Sequence, residues 1–215
     1  MTTFPNSPKL LKGGIVLLDP VTGIVQRIIS LQYNPDSLTR TLQVQGIGES
    51  QDRSEALRLK GPAVETLKLD AEIDATDQLE LADSTATKIG IHAQLAALEI
   101  MVYPTSGQLQ ANNVLAQSGT LEISPMESPL TIFVWSQHRI MPVRITEFSI
   151  TEEAFDPSLN PIRAKVSLGL RVLNVNDVGF NHKGGSLFVS YLQNKEQLAL
   201  RNRSGALSAL GVTGL

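Results

Sequence analysis

Residues 130–173 read LTIFVWSQHRIMPVRITEFSITEEAFDPSLNPIRAKVSLGLRVL, and their pattern is that of two long strands joined by a short Pro-rich corner. In the second half Ile162, Ala164, Val166, Leu168, Leu170 and Val172 fall on one face, with Arg163, Lys165, Ser167, Gly169 and Arg171 on the other. A period of two held over this length predicts a strand buried on one side only. At ~3.3 Å per residue such a strand spans roughly 36 Å, longer than is usual in compact domains. Its second face is cationic and has to meet solvent, a lumen or a partner, so Arg163, Lys165 and Arg171 are candidate lumen or ring contacts. Upstream, Phe133 and Trp135 lie opposite Leu130, Ile132 and Val134, which makes residues 130–135 apolar on both faces. Both faces then need cover, from a helix on one side and from another sheet or subunit on the other.

Downstream, the Asn- and Gly-rich residues 174–185 read as a linker, followed by a helix from Ser186, a candidate N-cap, to about Asn202. Phe188, Tyr191, Leu192 and Leu198 form its apolar stripe. A stripe beyond a flexible linker predicts docking on a neighbouring subunit, and these four residues join Phe133 and Trp135 as candidate subunit-docking positions. Upstream lie strand candidates at 14–18, 24–33, 38–45 and 63–73, separated by Asp19-Pro20 and Asn34-Pro35 turns. Residues 46–62 hold six charges without alternation and read as a long exposed loop. One interior helix is expected over 91–103, with Ile91, Leu95, Leu98 and Val102 at helical spacing and Pro104 as its stop. Residues 105–129 read as polar connection with a short strand at 119–123. The expected class is mainly β within α+β: a β-sandwich or squashed barrel with one plugging helix and a C-terminal helical extension. The expected organisation is a flexible arm at 1–11, a β domain at 12–173, and a linker, helix and tail at 174–215.

The 215 residues carry a net charge of −3 and 42% hydrophobic residues, which argues against nucleic-acid binding through bulk basicity. There is no cysteine, so disulfides, thiolate metal sites and cysteine nucleophiles are excluded. MTTFPNSPKLLKGG lacks the apolar core of a secretory signal, and no stretch reaches the ~18 apolar residues of a membrane span. The expectation is a cytoplasmically made protein.

Reading Asp70, Glu72, Asp74 and Asp77 as a calcium loop puts Ala75 where glycine is needed and Leu81 where a bidentate glutamate belongs. His92, His138 and His182 form no ligand pair, and no serine sits in a Gly-x-Ser-x-Gly elbow. Lys183-Gly184-Gly185-Ser186 precedes a helix as a phosphate cradle would, without the P-loop spacing. No catalytic, cofactor or metal site is expected.

GPAVETLKLDAEIDATD at 61–77, GIHAQLAALEIMVYP at 90–104 and RITEFSITEEAFDPSLNPIRAKVSLGLRVL at 144–173 together resemble the tube-like proteins of contractile injection systems. The resemblance covers about Lys12 to Leu173 and implies the tube fold of phage tail-tube and type VI secretion tube proteins, assembled as six-fold rings with sheets joined between subunits. It implies a structural, non-enzymatic role: a hexameric tube-initiator or adapter ring between hub-spike and inner tube at the baseplate. The implied partners are copies of the chain, the inner tube, the hub or spike and other baseplate proteins, within an assembled injection particle. The LysM-type module that ends many relatives is not recognisable in this chain. Another tube-like ring and, from a different class, a small-ligand-binding β-barrel are the alternative readings.

Overall fold

The strand with the clearest alternation, Pro161–Val172, sits inside a single antiparallel sheet in a computed structural model of the chain. The structure describes residues 10–46, 58–119, 128–202, 205 and 207–212. Seven strands, β1 (Gly14–Leu18), β2 (Val25–Ser30), β3 (Thr39–Gln43), β4 (Val64–Asp74), β5 (Leu130–Ser136), β6 (Arg139–Phe155) and β7 (Pro161–Val172), are ordered β2-β1-β5-β6-β7-β4-β3. The helices are α1 (Thr76–Glu80), α2 (Ser84–Ile89), α3 (His92–Glu99), α4 (Ser106–Gln117), α5 (Val175–Val178) and α6 (Lys183–Arg201), and a 3-10 turn covers Leu207–Leu210. This is the expected mainly β, α+β class. The expected 1–11 arm and 46–62 loop fall mostly outside the described residues, as does the strand expected at 119–123.

Strand β6 turns the sheet. Its first residues pair with β5 and the rest with β7, and register breaks at Ile145/Glu147 and Glu152/Ala154 bend it. The sheet therefore curls, and the Gln32 side chain, just past β2, bridges to the far end of β4. Its amide nitrogen donates to the Asp74 carbonyl at 2.6 Å and its oxygen accepts from the Asp74 N–H at 3.0 Å. Inside the curl one core joins Ile15 and Leu17 of β1, Phe133 of β5, Met141 and Val143 of β6, and Leu67 and Leu69 of β4. Ala164, Val166, Leu168, Leu170 and Val172 of β7 belong to the same core, as the alternation predicts. Helix α3 fills one side of it with Leu95 and Leu98, flanked by Ile91 and Met101.

The corner between β6 and β7 is built by Asp156. Its carboxylate accepts from the Ser158 and Asn160 N–H groups, and its own N–H donates to the Asn160 carbonyl at 2.9 Å. Gly90, which ends α2 at φ 55°, lies against the Pro161 carbonyl, where a Cβ would collide with it. Corner and helix ends are thereby locked together.

Several expectations need correction. The first half of the opening segment is two strands, because Gln137-His138 turns the chain between Ser136 and Arg139. The helix expected over 91–103 ends at Glu99, so Val102 is exposed and Met101 takes the buried position. Residues 105–129 include a whole helix, α4, which begins in a Thr105/Gln108 capping box. Residues 174–185 are not a loose linker. Asn174 and Asp177 form a second capping box at α5, and His182, rather than Ser186, caps α6 by accepting from the Gly184 N–H at 3.0 Å. Gly185 seats α6 against the Gly179 carbonyl, a position where any Cβ would clash.

Candidate assembly surfaces

Cross-strand pairing places Arg163, Lys165 and Arg171 on the solvent face of β7, with Arg163 opposite Asp74, Lys165 opposite Glu72 and Arg171 opposite Thr66 of β4. Arg163 bonds Asp74 at 2.8 Å, Lys165 bonds Glu153 at 3.0 Å, and Arg171 bonds Asp177 at 2.8 Å. Lys68 and Glu147 add a further pair at 2.9 Å. Burial pushes the Asp74 carboxyl up, but the hydrogen bonds from the Thr76 hydroxyl and N–H, followed by the hydrogen bond and charge of Arg163, outweigh it and hold the group below the usual carboxylate range. The face expected to be cationic is thus charge-compensated, by β4 for Arg163, by the adjoining β6 for Lys165 and by α5 for Arg171. The acidic run at 70–77 is spent here too: Ser167 donates to Asp70, and Thr76 to Asp74.

Exposed pairs of this kind contribute little to stability. Arg163→Ala and Lys165→Ala should therefore leave thermal melting of the isolated protein unchanged within experimental scatter. A drop in melting temperature as large as that of a core substitution would show that these side chains hold the sheet together.

The other half of the sheet differs. Val16 is paired with Ile28 on β2 and Ile132 on β5, Ile132 with Pro142 on β6, and Val134 with Ile140, so these residues share the outer face. Leu18, Leu130 and Ile132 are buried there beneath Leu173 and Leu187 of the same chain. The first four residues of β5, 130–133, are consequently buried on both faces without a neighbour, which removes the argument for oligomerisation drawn from them. Phe133 is fully buried in the chain's own core, with Trp135 stacked beside it at 6.0 Å between ring centroids. What remains uncovered is a row across four strands: Ile28 and Ile140 exposed, Val16 and Val134 half-buried.

Phe188 and Tyr191 likewise join this chain's core, while Leu192 and Leu198 stay exposed. The candidate docking set narrows to these two leucines. Two surfaces that sequence reasoning missed are more conspicuous. Helix α4 buries no residue, exposes Leu109, Val114 and Leu115, and carries no charged side chain; none occurs anywhere from Ile100 to Gln117. The sheet also has two edges, β2 and β3, whose outer sides have no strand partner among the described residues. The Thr105-x-x-Gln108 signature was the available signal for α4.

One polar cluster lies within the protein. Glu65, on the core-facing side of β4, is 4% exposed. It accepts from Arg40 Nε at 2.9 Å, from another Arg40 guanidinium nitrogen at 2.6 Å, from the Tyr191 hydroxyl at 3.0 Å, and from Lys195 Nζ at 2.8 Å. Arg40 also donates to the Tyr191 oxygen at 3.2 Å, and the Lys195 ammonium lies 4.1 Å from the Tyr191 ring centroid. Burial pushes the Glu65 carboxyl up, but the hydrogen bonds and charges of Lys195 and Arg40 outweigh it and hold the group below its ordinary range. Burial and the Glu65 charge push the Tyr191 hydroxyl up, so it remains a neutral donor.

Among the described residues no three His, Asp or Glu side chains are grouped to hold a metal ion, and no helix is long and apolar enough to cross a membrane. His92 is exposed at the start of α3, His138 lies in the β5–β6 turn, and His182 is engaged as a cap. The Lys183–Ser186 cradle candidate is the first turn of α6, with the Gly184 N–H already taken by His182.

No family model matches the chain, and no curated protein matches it. Among solved structures, the tail of an empty gene transfer agent particle, refined with C6 symmetry, superposes with a TM-score of 0.30 at 11% identity, over 75% of this chain and 90% of that one. A chain of the native gene transfer agent virion gives 0.27 at 10% identity, over 74% and 90%.

Proposed function

We propose that this chain is a structural component of a contractile, phage-tail-like injection system, forming a hexameric tube-initiator or adapter ring between hub-spike and inner tube at the baseplate. The observation that carries the reading is the pair of open edges on one curled sheet. An unpaired edge is a liability on a free monomer, and two different edges, β2 and β3, suit a head-to-tail contact that closes into a ring. The uncovered row from Ile28 to Ile140 and the charge-free helix α4 supply apolar surface of the sort that subunit contacts bury. The tube-protein wording of 61–77, 90–104 and 144–173 supports the same assignment. Inner tube, hub-spike and neighbouring baseplate proteins are the partners that follow from it. The ion-paired face around Arg163, Lys165 and Arg171 is assigned to the lumen or to a ring-to-ring contact, and Leu192 and Leu198 to subunit docking. A small-ligand barrel is less well supported, because side chains such as Phe133, Met141 and Leu170 fill the interior.

The test is reconstruction of the assembled particle carrying an electron-dense label on this chain. Six labelled copies in one ring beside the hub are expected. A single copy, or a symmetry other than six-fold, would overturn the proposal.

A further inference from the structure

We infer that α6 governs the competence of edge strand β3 to accept a neighbour, acting through the Glu65 hub; the inference rests on the ring reading above. Among the described residues strand β3 is held from one side only, by its ladder to β4. Of its five side chains, Thr39, Thr41, Leu42 and Gln43 are exposed, and Arg40 alone is partly buried. Among the described residues the one β3 side chain gripped by the body is therefore Arg40, and what grips it is Glu65 together with the Tyr191 hydroxyl of α6. Lys195, one helical turn beyond Tyr191, completes the hub from the same helix.

The chemistry makes this grip conditional on the helix. A buried carboxylate is costly unless fully satisfied, and two of the three residues satisfying Glu65 come from α6. With Tyr191 and Lys195 in place, Glu65 is held as an ion, and one of its oxygens, Oε1, accepts both Arg40 bonds while Lys195 holds the other. Without them Arg40 is the carboxylate's one remaining partner in the hub, fewer bonds offset its burial, and the pair can turn out towards water, which loosens the grip on Arg40. An edge strand held only by its ladder frays readily, and a frayed edge offers no fixed row of N–H and C=O groups for another strand. Arg40, Glu65, Tyr191 and Lys195 are thus positioning residues, and the partner they prepare for is a strand from a second copy of this chain.

The experiment uses the full chain carrying Tyr191→Phe with Lys195→Met, which keeps the ring and the aliphatic stem but removes both polar contacts. Amide hydrogen exchange is followed at residues 39–43, with the β7 amides as the control for global folding. An acceleration in β3 at least tenfold greater than that in β7 is expected, together with reduced incorporation into particles. Lys195→Arg alone should keep wild-type exchange. Unchanged β3 exchange in the double variant would overturn the latch. Faster β3 exchange with wild-type incorporation would overturn the link between this edge and assembly. Failure of the unmodified chain to form a ring would sink the functional reading alone, since the exchange measurement decides the latch without it.

Discussion

Val166→Asp is expected to abolish folding. Val166 is 0% exposed at the centre of β7, opposite Ala71 of β4 and Ile150 of β6, with no cationic side chain on its face of that strand. A carboxylate placed there either remains charged without a partner or takes up a proton, and both routes cost several kcal/mol. A domain of this size has about 5–15 kcal/mol in total, so most of the population should be unfolded or insoluble. Circular dichroism and the soluble fraction on expression report the outcome. A soluble variant with a cooperative melt near that of the wild type would mean that the two faces of β7 are reversed. Lys165, one residue away and 57% exposed at its side chain, serves as the matched control, because Lys165→Ala alters the solvent face alone.

Deleting residues 184–215 is expected to destroy the fold as well. From sequence, the helix after residue 185 is separable, and its removal should leave an intact β domain. Instead Phe188 and Tyr191 are part of the central core, and Leu187 covers the outer cluster of Leu18, Leu130 and Ile132. At ~1.5–3 kcal/mol for each large side chain buried, their loss costs about 5 kcal/mol. The deletion also strips Tyr191 and Lys195 from the buried Glu65, and breaking a buried ion pair from one side costs about 3–5 kcal/mol more. The sum is comparable with the whole stability of an ordinary domain. Loss of the cooperative thermal transition in the truncated chain is the expected readout. A well-folded truncation would return α6 to the role of a detachable connector.

The contrast between these two residues shows what the sequence could reveal. Val166 is legible because a strand's periodicity declares its buried face locally, from nothing beyond the neighbours at every second position. Tyr191 is equally visible as part of a stripe, but the surface that covers a stripe is a tertiary fact. Burial on the same chain and burial on a neighbour leave the same trace in the sequence. The cations of β7 follow the same logic. Arg163 and Lys165 are correctly placed outward, yet their compensation by Asp74 and Glu153 depends on the strand order, which alternation does not encode. Helix α4 was obscured for another reason. With no buried face it has no strong apolar rhythm, and only its Thr105/Gln108 cap marks it. The β5–β6 turn was obscured because Gln137-His138 lacks the glycine or asparagine that tight hairpins favour.

The strand order also dictates when this protein can fold during its own synthesis. Strand β1 forms a hairpin with β2 at once, but its second neighbour is β5, so Gly14 waits for Val134. Strand β4 pairs early with β3, but its other neighbour is β7, and Thr66 waits for Arg171. The nascent chain therefore carries two small hairpins with bare apolar faces until almost the entire β region has left the ribosome. Such distant pairings fold slowly and leave aggregation-prone intermediates. The helix that closes the core, α6, emerges after all seven strands, so translation beyond residue 183 is a race between sealing the sheet and sticking to another nascent copy.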